Sequence, residues 1–351
     1  MTSRSFVDAW RRRKCAAFDL AGNSTAGRAL ELDLWGRRTR VYANANLSVY
    51  SGQTCNARCS FCVEELRPAS RGRALAQQRR VEPDDGAYFA ALEESLRALK
   101  PLDPTVSVTG GEASLDPRLP RILKTLAAAG GRKRTMTTNG SGLLERREGR
   151  TVLEWATTTG LKHLNVSRAH PDQSRNERLM RFTAAPGPDA LRRIAREAKA
   201  SGTRPRLSCV LLNGEVDSLE GVVEYLAFAR SVGVDNVIFR QLMRTDPASA
   251  ARDPVVLYSD ARRARLEPLL DAVSADPRFS FVRQVVGYYY YVEVWRHAGM
   301  DVVFEEADLA RLEATKREDP GLVHELVFHP DGALASTWQP WDGVLGPGVP
   351  A

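Results

Sequence analysis

The chain of 351 residues lacks the features that mark membrane-bound and exported proteins. It has no apolar run near the ~20 residues that a transmembrane helix needs. The N-terminal stretch lacks the apolar core of a signal peptide, and its basic residues follow Phe6, Val7 and Trp10 as in a short amphipathic helix. These absences predict a cytoplasmic protein with no membrane partner.

Cysteine is scarce, with five residues in the whole chain. Cys15 and Cys209 stand alone, whereas Cys55, Cys59 and Cys62 fall within eight residues. A disulfide framework would have an even number of cysteines spread along the sequence. In a reducing compartment, a tight cluster of this kind favours metal binding instead.

Lysine is also scarce, since seven of the 50 basic residues are lysine and the others are arginine. The net charge is +7, but the arginines are scattered, whereas a nucleic-acid site concentrates them in a stripe or block. We therefore expect no nucleic-acid partner. The charge suits a solvated surface, an anionic small substrate or the docking of an acidic electron-transfer protein.

The clustered cysteines have the spacing C-x3-C-x2-C, with Phe61 just before the last of them. Three thiolates can hold three irons of a [4Fe–4S] cluster, which normally takes four cysteine ligands, so the fourth iron is left for a non-protein ligand. This motif resembles that of the radical S-adenosylmethionine (radical SAM) enzymes. The resemblance implies that Cys55, Cys59 and Cys62 hold one cluster whose open iron binds SAM. A structural zinc site would instead need a fourth ligand from His170 or Cys209.

Strand and helix patterns alternate after the motif, which predicts an α/β fold. The expected strands lie at residues 47–50, 105–109, 134–138, 163–167, 206–212 and 236–240. Such units require right-handed crossovers and a parallel sheet, and six are too few for a closed eight-fold barrel. We predict a partial (β/α)6 TIM-like barrel over 44–243, which is also the fold that the resemblance implies. Residues 1–43 form an N-terminal extension, and 244–351 an α+β region that caps the barrel.

Polar motifs follow several of these strands. Gly110, Gly111 and Glu112 end the second strand, and the resemblance implies that they receive the amino group of SAM, although alone they would read as a tight turn. Ala113 replaces the proline that the family often has next. Asn139 ends the third strand in a Thr-Asn-Gly turn that resembles a SAM-facing turn of the family.

The fourth strand ends in Ser167 and Arg168, where the family places residues for the ribose and carboxylate of SAM. An arginine suits a carboxylate because its fork donates two parallel hydrogen bonds, but Arg168 could equally form a surface salt bridge. The resemblance places Phe61 near the adenine or the cluster, and a core aromatic residue would give the same pattern.

The candidate catalytic residues are Arg168, His170 and Arg240. His170 suits proton transfer or the start of a helix. Arg240 and Gln241 end the sixth strand, where they suit a substrate contact or a structural pair.

Aromatic residues of the C-terminal region could also reach the cavity. With a period of two, either Tyr288 and Tyr290 or Tyr289 and Tyr291 would face it. Trp338 and Trp341 suit a substrate pocket or the core. The remaining histidines lack ligand spacing: His297, His324 and His329.

The resemblance implies reductive cleavage of SAM to a 5′-deoxyadenosyl radical, which abstracts hydrogen from a substrate. It also implies an acidic electron donor such as flavodoxin or ferredoxin. No cysteine follows Cys209, which argues against subfamilies that use extra clusters to modify peptides or build molybdopterin precursors. We expect a small molecule of secondary metabolism, a sugar or nucleoside, with decarboxylation of a sugar-acid nucleoside such as cytosylglucuronate as the specific hypothesis. The alternatives are a peptide-modifying radical SAM enzyme and a non-enzymatic metal-binding module.

Overall fold

The computed structural model describes residues 29–62, 80–244, 254–286, 289–339 and 342–347. Its strands, in chain order, are β1 (Ala29–Leu34), β2 (Arg37–Tyr42), β3 (Leu47–Tyr50), β4 (Thr105–Thr109), β5 (Lys133–Thr138), β6 (Arg146–Arg147), β7 (Arg150–Thr151), β8 (His163–Ser167), β9 (Arg204–Leu211), β10 (Asn236–Gln241), β11 (Phe279–Val286), β12 (Tyr290–His297), β13 (Met300–Ala307), β14 (Leu322–Val323), β15 (Leu326–Phe328), β16 (Leu334–Ala335) and β17 (Val344–Gly346).

Helices follow most of the central strands. They are α1 (Asp85–Ala98), α2 (Leu119–Ala129), α3 (Val152–Thr158), α4 (Gln173–Met180), α5 (Pro188–Ala200), α6 (Leu219–Ser231), α7 (Pro254–Arg262), α8 (Leu266–Ala275) and α9 (Leu309–Glu318). Side-chain caps fix the starts of several of them, because the first backbone N–H groups of a helix have no intrahelical acceptor. Asp84 caps α1, Thr151 caps α3 within a capping box, and Ser218 caps α6.

The centre of the fold is a run of parallel strands in the order β3-β4-β5-β8-β9-β10. The six expected β-then-α units are therefore present, and the α/β prediction with a parallel sheet is confirmed. The two outermost strands of this sheet, β11 and β17, do not pair with each other, so the sheet is not a closed barrel within the described residues.

The C-terminal region extends this sheet at both edges. Strand β13 pairs parallel with β10 and continues through the antiparallel strands β12 and β11. At the opposite edge β15 pairs parallel with β3, and β16 and β17 follow as antiparallel neighbours. Strands β15 and β16 form a hairpin around residues 330–332. The predicted boundaries at residues 43 and 243 stay a prediction.

The strands that precede the cysteine motif form a separate small sheet. Strands β1 and β2 make an antiparallel hairpin that turns at Trp35 and Gly36, and β14 pairs parallel with β2. A bidentate ion pair joins Arg40 on β2 to Asp319 beyond α9, with nitrogen–oxygen distances of 3.1 and 3.0 Å. This hairpin therefore docks against the C-terminal region of the fold.

The two faces of the central sheet differ in polarity. In β4, Val106 and Val108 are buried in the main core, whereas Ser107 and Thr109 line a cavity on the other face. Successive side chains of a strand point to opposite faces, so the alternating sequence produces both surfaces at once. The helices cover the apolar face, which leaves the polar face as the wall of a cavity.

Helix α4 and strand β13 are two of the elements that were absent from the sequence-based prediction. Helix α4 is strongly polar along its length, and β13 carries the acidic residues Glu305 and Glu306 in its second half. Both elements contribute to the cavity described below. Among the described residues, no helix is both long and apolar enough to cross a bilayer.

Candidate active site

One cavity of about 570 Å³ lies on the polar face of the sheet. The cysteine loop, the ends of β4, β5 and β8, and residues of β9, β10 and β13 all contribute to its wall. The carboxyl ends of parallel strands meet at one edge of a sheet, which is why polar residues distant in sequence converge there. The sequence-predicted residues among its lining are Cys55, Cys59, Phe61, Cys62, Gly110, Gly111, Glu112, Asn139, Ser167, Arg168 and Arg240.

The three cysteines of the loop face this cavity together. The amide of Cys62 donates to the carbonyl of Cys59 at 3.1 Å, which keeps the loop tightly turned. The loop also rests on the end of α4, since the Met180 carbonyl accepts from the Arg58 amide at 3.2 Å and from the Cys59 thiol at 3.5 Å. Burial and the two neighbouring cysteines raise the pKa of the Cys59 thiol. Binding of a cation would offset this, because thiolates are the form that ligates metals.

The zinc alternative required a fourth ligand from His170 or Cys209, and neither residue lines the cavity. Cys209 is fully buried on β9, with its thiol 3.5 Å from the Ala169 carbonyl. His170 is buried as well, and its Nδ1 accepts a hydrogen bond from the Asp172 amide at 2.9 Å. The donor set in the loop is three thiols, which fits a cluster whose irons each take one cysteine.

Phe61 closes the apolar side of the cysteine loop. It is 9% exposed and belongs to a small cluster with Ala169, Leu179, Met180 and Phe182, which is separate from the main core. Cys59 packs against the same cluster. This arrangement surrounds one side of the loop with apolar atoms, and such surroundings limit the access of water to a metal site.

Gly110 and Gly111 both adopt positive φ angles, +85° and +47°, which glycine accepts most readily. A Cβ atom on Gly110 would lie within 2.7 Å of three atoms of the Tyr50 ring. The turn after β4 therefore depends on the absence of a side chain, since its backbone crosses directly over this aromatic ring. The result is exposed backbone at the edge of the cavity.

Glu112 ties the glycine turn to the end of β5. One carboxylate oxygen accepts from the Ser114 amide at 2.9 Å and from the Thr138 hydroxyl, and the other accepts from the Asn139 amide at 2.6 Å. A carboxylate has about four acceptor sites, so about one remains for another donor. Burial raises the pKa of Glu112. The carboxylate thus has a structural task in addition to any contact with a cofactor.

Asn139 joins this assembly to the cysteine loop. Its side-chain amide donates to the Asn56 carbonyl oxygen at 2.8 Å and lies 3.8 Å from the Cys55 sulfur, while its own oxygen accepts from the Ser141 amide at 3.0 Å. Asn56 donates in turn to the Ser141 hydroxyl at 3.2 Å. A network of side-chain hydrogen bonds therefore sets the loop against the end of β5.

Ser167 and Arg168 diverge at the end of β8. The Ser167 side chain lies on the cavity face, whereas the Arg168 guanidinium is 4.5 Å from the Phe228 ring on α6. That guanidinium donates to the Pro171 carbonyl at 2.9 Å and to the Gln173 side chain at 3.0 Å. The expected contact of Arg168 with the SAM carboxylate stays a prediction, and its described hydrogen bonds are structural.

A known protein family matches the part of the chain that builds most of this site. The model of the radical SAM superfamily matches residues 49–228, about half of the chain, from the cysteine loop to α6. The chain belongs to the radical SAM superfamily. Its cofactors are accordingly a [4Fe–4S] cluster and S-adenosylmethionine, and it is an enzyme of that class.

Relatives of this radical SAM enzyme carry a named activity. It is 29% identical over 227 residues to a GTP 3′,8-cyclase of Mycolicibacterium smegmatis, which covers 64% of the chain and 56% of that protein. It is 34% identical over 199 residues to a GTP 3′,8-cyclase of Stenotrophomonas maltophilia, with 55% and 53% covered. The chain thus spans little more than half the length of these curated relatives.

Solved structures resemble the same region. The structure of Streptococcus suis SuiB bound to the precursor peptide SuiA matches with a TM-score of 0.46 and 17% identity, over 67% of this chain and 46% of that one. The coproporphyrinogen III oxidase HemN of Escherichia coli, a radical SAM enzyme, matches with a TM-score of 0.41 and 15% identity, over 66% and 52%.

The other predicted residues of the radical SAM chain have these positions. Arg240 lines the cavity and forms an ion pair with Glu305 on β13 at 3.1 Å, so the pairing expected as its alternative is present. Gln241 also lines the cavity, and its oxygen accepts from the Leu266 amide at 2.7 Å. His170 lies away from the cavity, as described above.

The side chains of Tyr289, Tyr290 and Tyr291 do not alternate between the two faces as a regular strand would predict. Tyr289 and Tyr290 are consecutive, yet both line a side pocket of about 90 Å³, because β12 begins only at Tyr290. Tyr291 is buried on the other face and donates to Glu293 at 2.6 Å. Trp338 lines both the pocket and the cavity, whereas Tyr288 and Trp341 lie outside the described residues.

Sequence reasoning missed one cationic residue of the cavity. Arg206 lies on β9, in a segment that reads as an apolar core strand because leucine and valine follow it. The inward-facing residues of this strand are Arg206, Ser208 and Val210, at a period of two. Because Arg206 lies two residues before Ser208, strand alternation could have placed its side chain in the cavity from the sequence alone.

Proposed function

We propose that this radical SAM enzyme acts on a small polar molecule, a nucleoside or a sugar derivative, at the cavity next to its cysteine loop. One observation carries the proposal. The same cavity that meets the cysteine loop and the glycine turn continues along serine, threonine and asparagine side chains of the sheet. A polar, concave wall of that kind suits a hydrophilic substrate of limited size.

In this proposal, Cys55, Cys59 and Cys62 hold the cluster, while the glycine turn, Asn139 and Ser167 face SAM. When bound, the cluster and SAM would supply one-electron chemistry able to take a hydrogen atom from the substrate, with methionine and 5′-deoxyadenosine as the products of SAM. The protein's own contribution is to bind and orient the substrate and to exclude water. The Phe61 cluster covers the loop on its apolar side.

The side pocket favours a substrate with a planar ring. Tyr42, Tyr289, Tyr290 and Trp338 contribute to its walls, and it shares Asn46 and Ser48 with the cavity. Aromatic walls bind nucleobases by stacking, which is favourable for every base. Decarboxylation of a sugar-acid nucleoside such as cytosylglucuronate is the specific reaction that we propose, in the setting of antibiotic biosynthesis.

Cyclisation of GTP is the second candidate, and the named activity of the relatives favours it. The cysteine content weighs against it. Cys209 is the last cysteine of the chain, and it is buried away from the cavity. The chain thus lacks the cysteines for an auxiliary cluster that the resemblance associates with molybdopterin precursors. Peptide modification with extra clusters is disfavoured for the same reason.

The test is isotope transfer in the reconstituted enzyme with a chemical reductant. A deuterated sugar-acid nucleoside should transfer deuterium to 5′-deoxyadenosine and release carbon dioxide. Deuterated GTP is the matched alternative substrate. Transfer from GTP alone would replace the first candidate by the second, and transfer from neither would refute both.

An acidic electron donor such as flavodoxin or ferredoxin is part of this proposal. The chain has a net charge of +7, which favours association with an acidic protein. Turnover with reduced flavodoxin should therefore slow as salt is raised, because salt screens attraction between exposed charges. Turnover with a small neutral reductant is the control, and equal salt dependence of both would contradict the proposal.

A further inference from the structure

The floor of the cavity carries an arginine with spare hydrogen-bond donors. Arg206 faces the cavity from β9, and its Nε donates to the side-chain oxygen of Asn236, the first residue of β10. Asn236 is 2% exposed, so this bond fixes the guanidinium from behind. The structure gives the two terminal nitrogens of Arg206 no partner among the described residues. An arginine held in this way presents a fork that matches the oxygens of a carboxylate or phosphate.

The charges around Arg206 are not balanced locally. The nearest carboxylates are engaged elsewhere: Glu305 pairs with Arg240 at 3.1 Å, and Asp301 pairs with Arg204 at 2.7 Å. Lys133 lies close enough for Arg206 to lower its pKa, and it has no ion pair among the described residues. An anion at this position would therefore meet an excess of positive charge.

The pKa of Arg206 reflects the same imbalance. Burial lowers it most, the neighbouring cations Arg240 and Arg204 lower it as well, and Glu305 and Asp301 raise it, so that the pKa lies at about 10. His163, below Arg206 on β8, has its pKa lowered by burial and by Arg206 and is neutral at pH 7. The cations Arg206, Arg240 and Arg204 repel one another, and a bound anion would relieve that repulsion.

A row of polar side chains crosses the sheet to this arginine. Thr137 on β5 pairs in register with Asn165 on β8, and Asn165 pairs with Arg206 on β9, and all three line the cavity. Asn165 is 7% exposed, its amide donates to the Thr137 hydroxyl at 3.3 Å, and its buried oxygen has no partner among the described residues. A ligand that reached Arg206 could satisfy this buried group as well.

We infer that Arg206 is the anchor for an anionic group of the substrate, a carboxylate or a phosphate, which binds on the floor of the cavity beside Asn165. The inference rests on the proposed function, because it names the chemistry of the substrate at that same site. Arg240 lies nearby but already pairs with Glu305, so it is less available to the substrate than Arg206. The substrate would then extend from this floor toward the cysteine loop.

The test measures binding of two probes, glucuronate for the carboxylate and inorganic phosphate for the phosphate. Each is titrated calorimetrically into the reconstituted, SAM-loaded enzyme. We expect at least one probe to bind, and the tighter one identifies the anionic group. Arg206→Gln should weaken that binding about 10- to 100-fold, the usual loss for a hydrogen-bonded charge. Arg193→Gln is the control, because Arg193 pairs with Glu197 on the outer face of α5.

Either of two results would overturn the inference: no binding of both probes to the wild-type enzyme, or equal affinity in the Arg206→Gln variant. Should that variant not fold, Arg206→Lys takes its place, because it keeps the charge and loses the fork. It should bind several-fold more weakly, and unchanged affinity would overturn the inference. Release of 5′-deoxyadenosine by the wild-type enzyme is measured in parallel. Its absence would refute the proposed function, whereas its presence with insensitive binding would refute the anion site alone.

Discussion

At the scale of single residues, the site depends on the direction in which each side chain leaves its strand. Ser167 and Arg168 are neighbours at the end of β8, but the first faces the cavity and the guanidinium of the second packs on Phe228. Strand β8 ends at Ser167, and the described side-chain hydrogen bonds of Arg168 include those to the Pro171 carbonyl and the Gln173 side chain, so its contact with SAM stays a prediction. Arg206 follows strand alternation, because Arg206, Ser208 and Val210 on β9 all face the cavity. It was missed because the apolar residues that follow it make the segment resemble a core strand.

Gly110 should tolerate no side chain. Gly110→Ala should lower the free energy of unfolding by more than about 2 kcal/mol. A left-handed backbone alone costs a residue with a side chain about 1–2 kcal/mol. Here the φ of +85° is combined with crowding against Tyr50. Gly202→Ala is the control, since it has a φ of +75° with no atom within 4 Å of the added Cβ. Urea unfolding of both variants measures the difference. Equal losses would show that the Tyr50 contact has no effect.

His163 should make the stability of the protein fall in mild acid. Burial, Arg206, Lys133 and Arg204 lower its pKa to about 3 in the folded state, against about 6.5 in the unfolded chain. The unfolded state therefore binds more protons between these two values, and stability drops as pH falls from about 6.5 toward 3.

Replacing His163 by glutamine should make that pH dependence shallower. The measurement is urea unfolding of the metal-free wild-type and His163→Gln proteins at pH 7.5 and 5.5. Some dependence should remain in the variant, because burial also lowers the pKa of His170, His297 and His324. Equal slopes in the two proteins would contradict the assignment to His163.

At the scale of elements, the strands of the centre could be predicted because their apolar and polar residues alternate or run together over short lengths. Strand β13 was not predicted because Glu305 and Glu306 interrupt its apolar pattern. The folded structure accounts for Glu305 through its ion pair with Arg240. Helix α4 was not predicted because nearly all of its residues are polar. Its apolar end, Leu179 and Met180, packs only when Phe61 is placed beside it in three dimensions.

Helix α4 should stabilise the cysteine loop through its buried Asn176. The Asn176 side-chain oxygen accepts from the Ala169 amide at 2.8 Å, and the helix then delivers the Met180 carbonyl to the loop. Asn176→Ala leaves that amide without an acceptor, which should cost about 1–3 kcal/mol of stability. It should also reduce the iron retained after reconstitution.

The matched control for Asn176→Ala is Ser174→Ala, because Ser174 is exposed on the same helix. This control should keep its stability and its iron. Iron content and urea unfolding are measured on all three proteins. Full iron retention in Asn176→Ala, together with unchanged stability, would show that α4 does not support the loop.

At the scale of the whole molecule, one sheet crosses the predicted boundary between the radical SAM core and the C-terminal region. Strand β13 covers the edge of β10, and β15 covers the edge of β3. The six-unit centre was predictable from sequence because it repeats one local pattern. The way in which the C-terminal strands flank it was not, because pairing between strands distant in the chain depends on edges that only the folded sheet creates.

Residues 44–243 expressed alone should therefore fold poorly. Removal of the C-terminal strands exposes both edges of the parallel sheet, and unpaired edges promote aggregation. Size-exclusion chromatography and thermal unfolding compare this fragment with the full chain. A monomeric fragment with the same melting temperature as the full chain would show instead that the core is an independent domain.

The central claim is that the loop with Cys55, Cys59 and Cys62 holds one cluster that cleaves SAM. The most direct measurement is the yield of 5′-deoxyadenosine from anaerobically reconstituted protein, with and without dithionite, alongside its iron and zinc content. We predict about four irons per chain and formation of 5′-deoxyadenosine only with reductant. Cys59→Ala should abolish both, and Cys209→Ala should retain both. One zinc per chain with no cleavage of SAM would contradict the account.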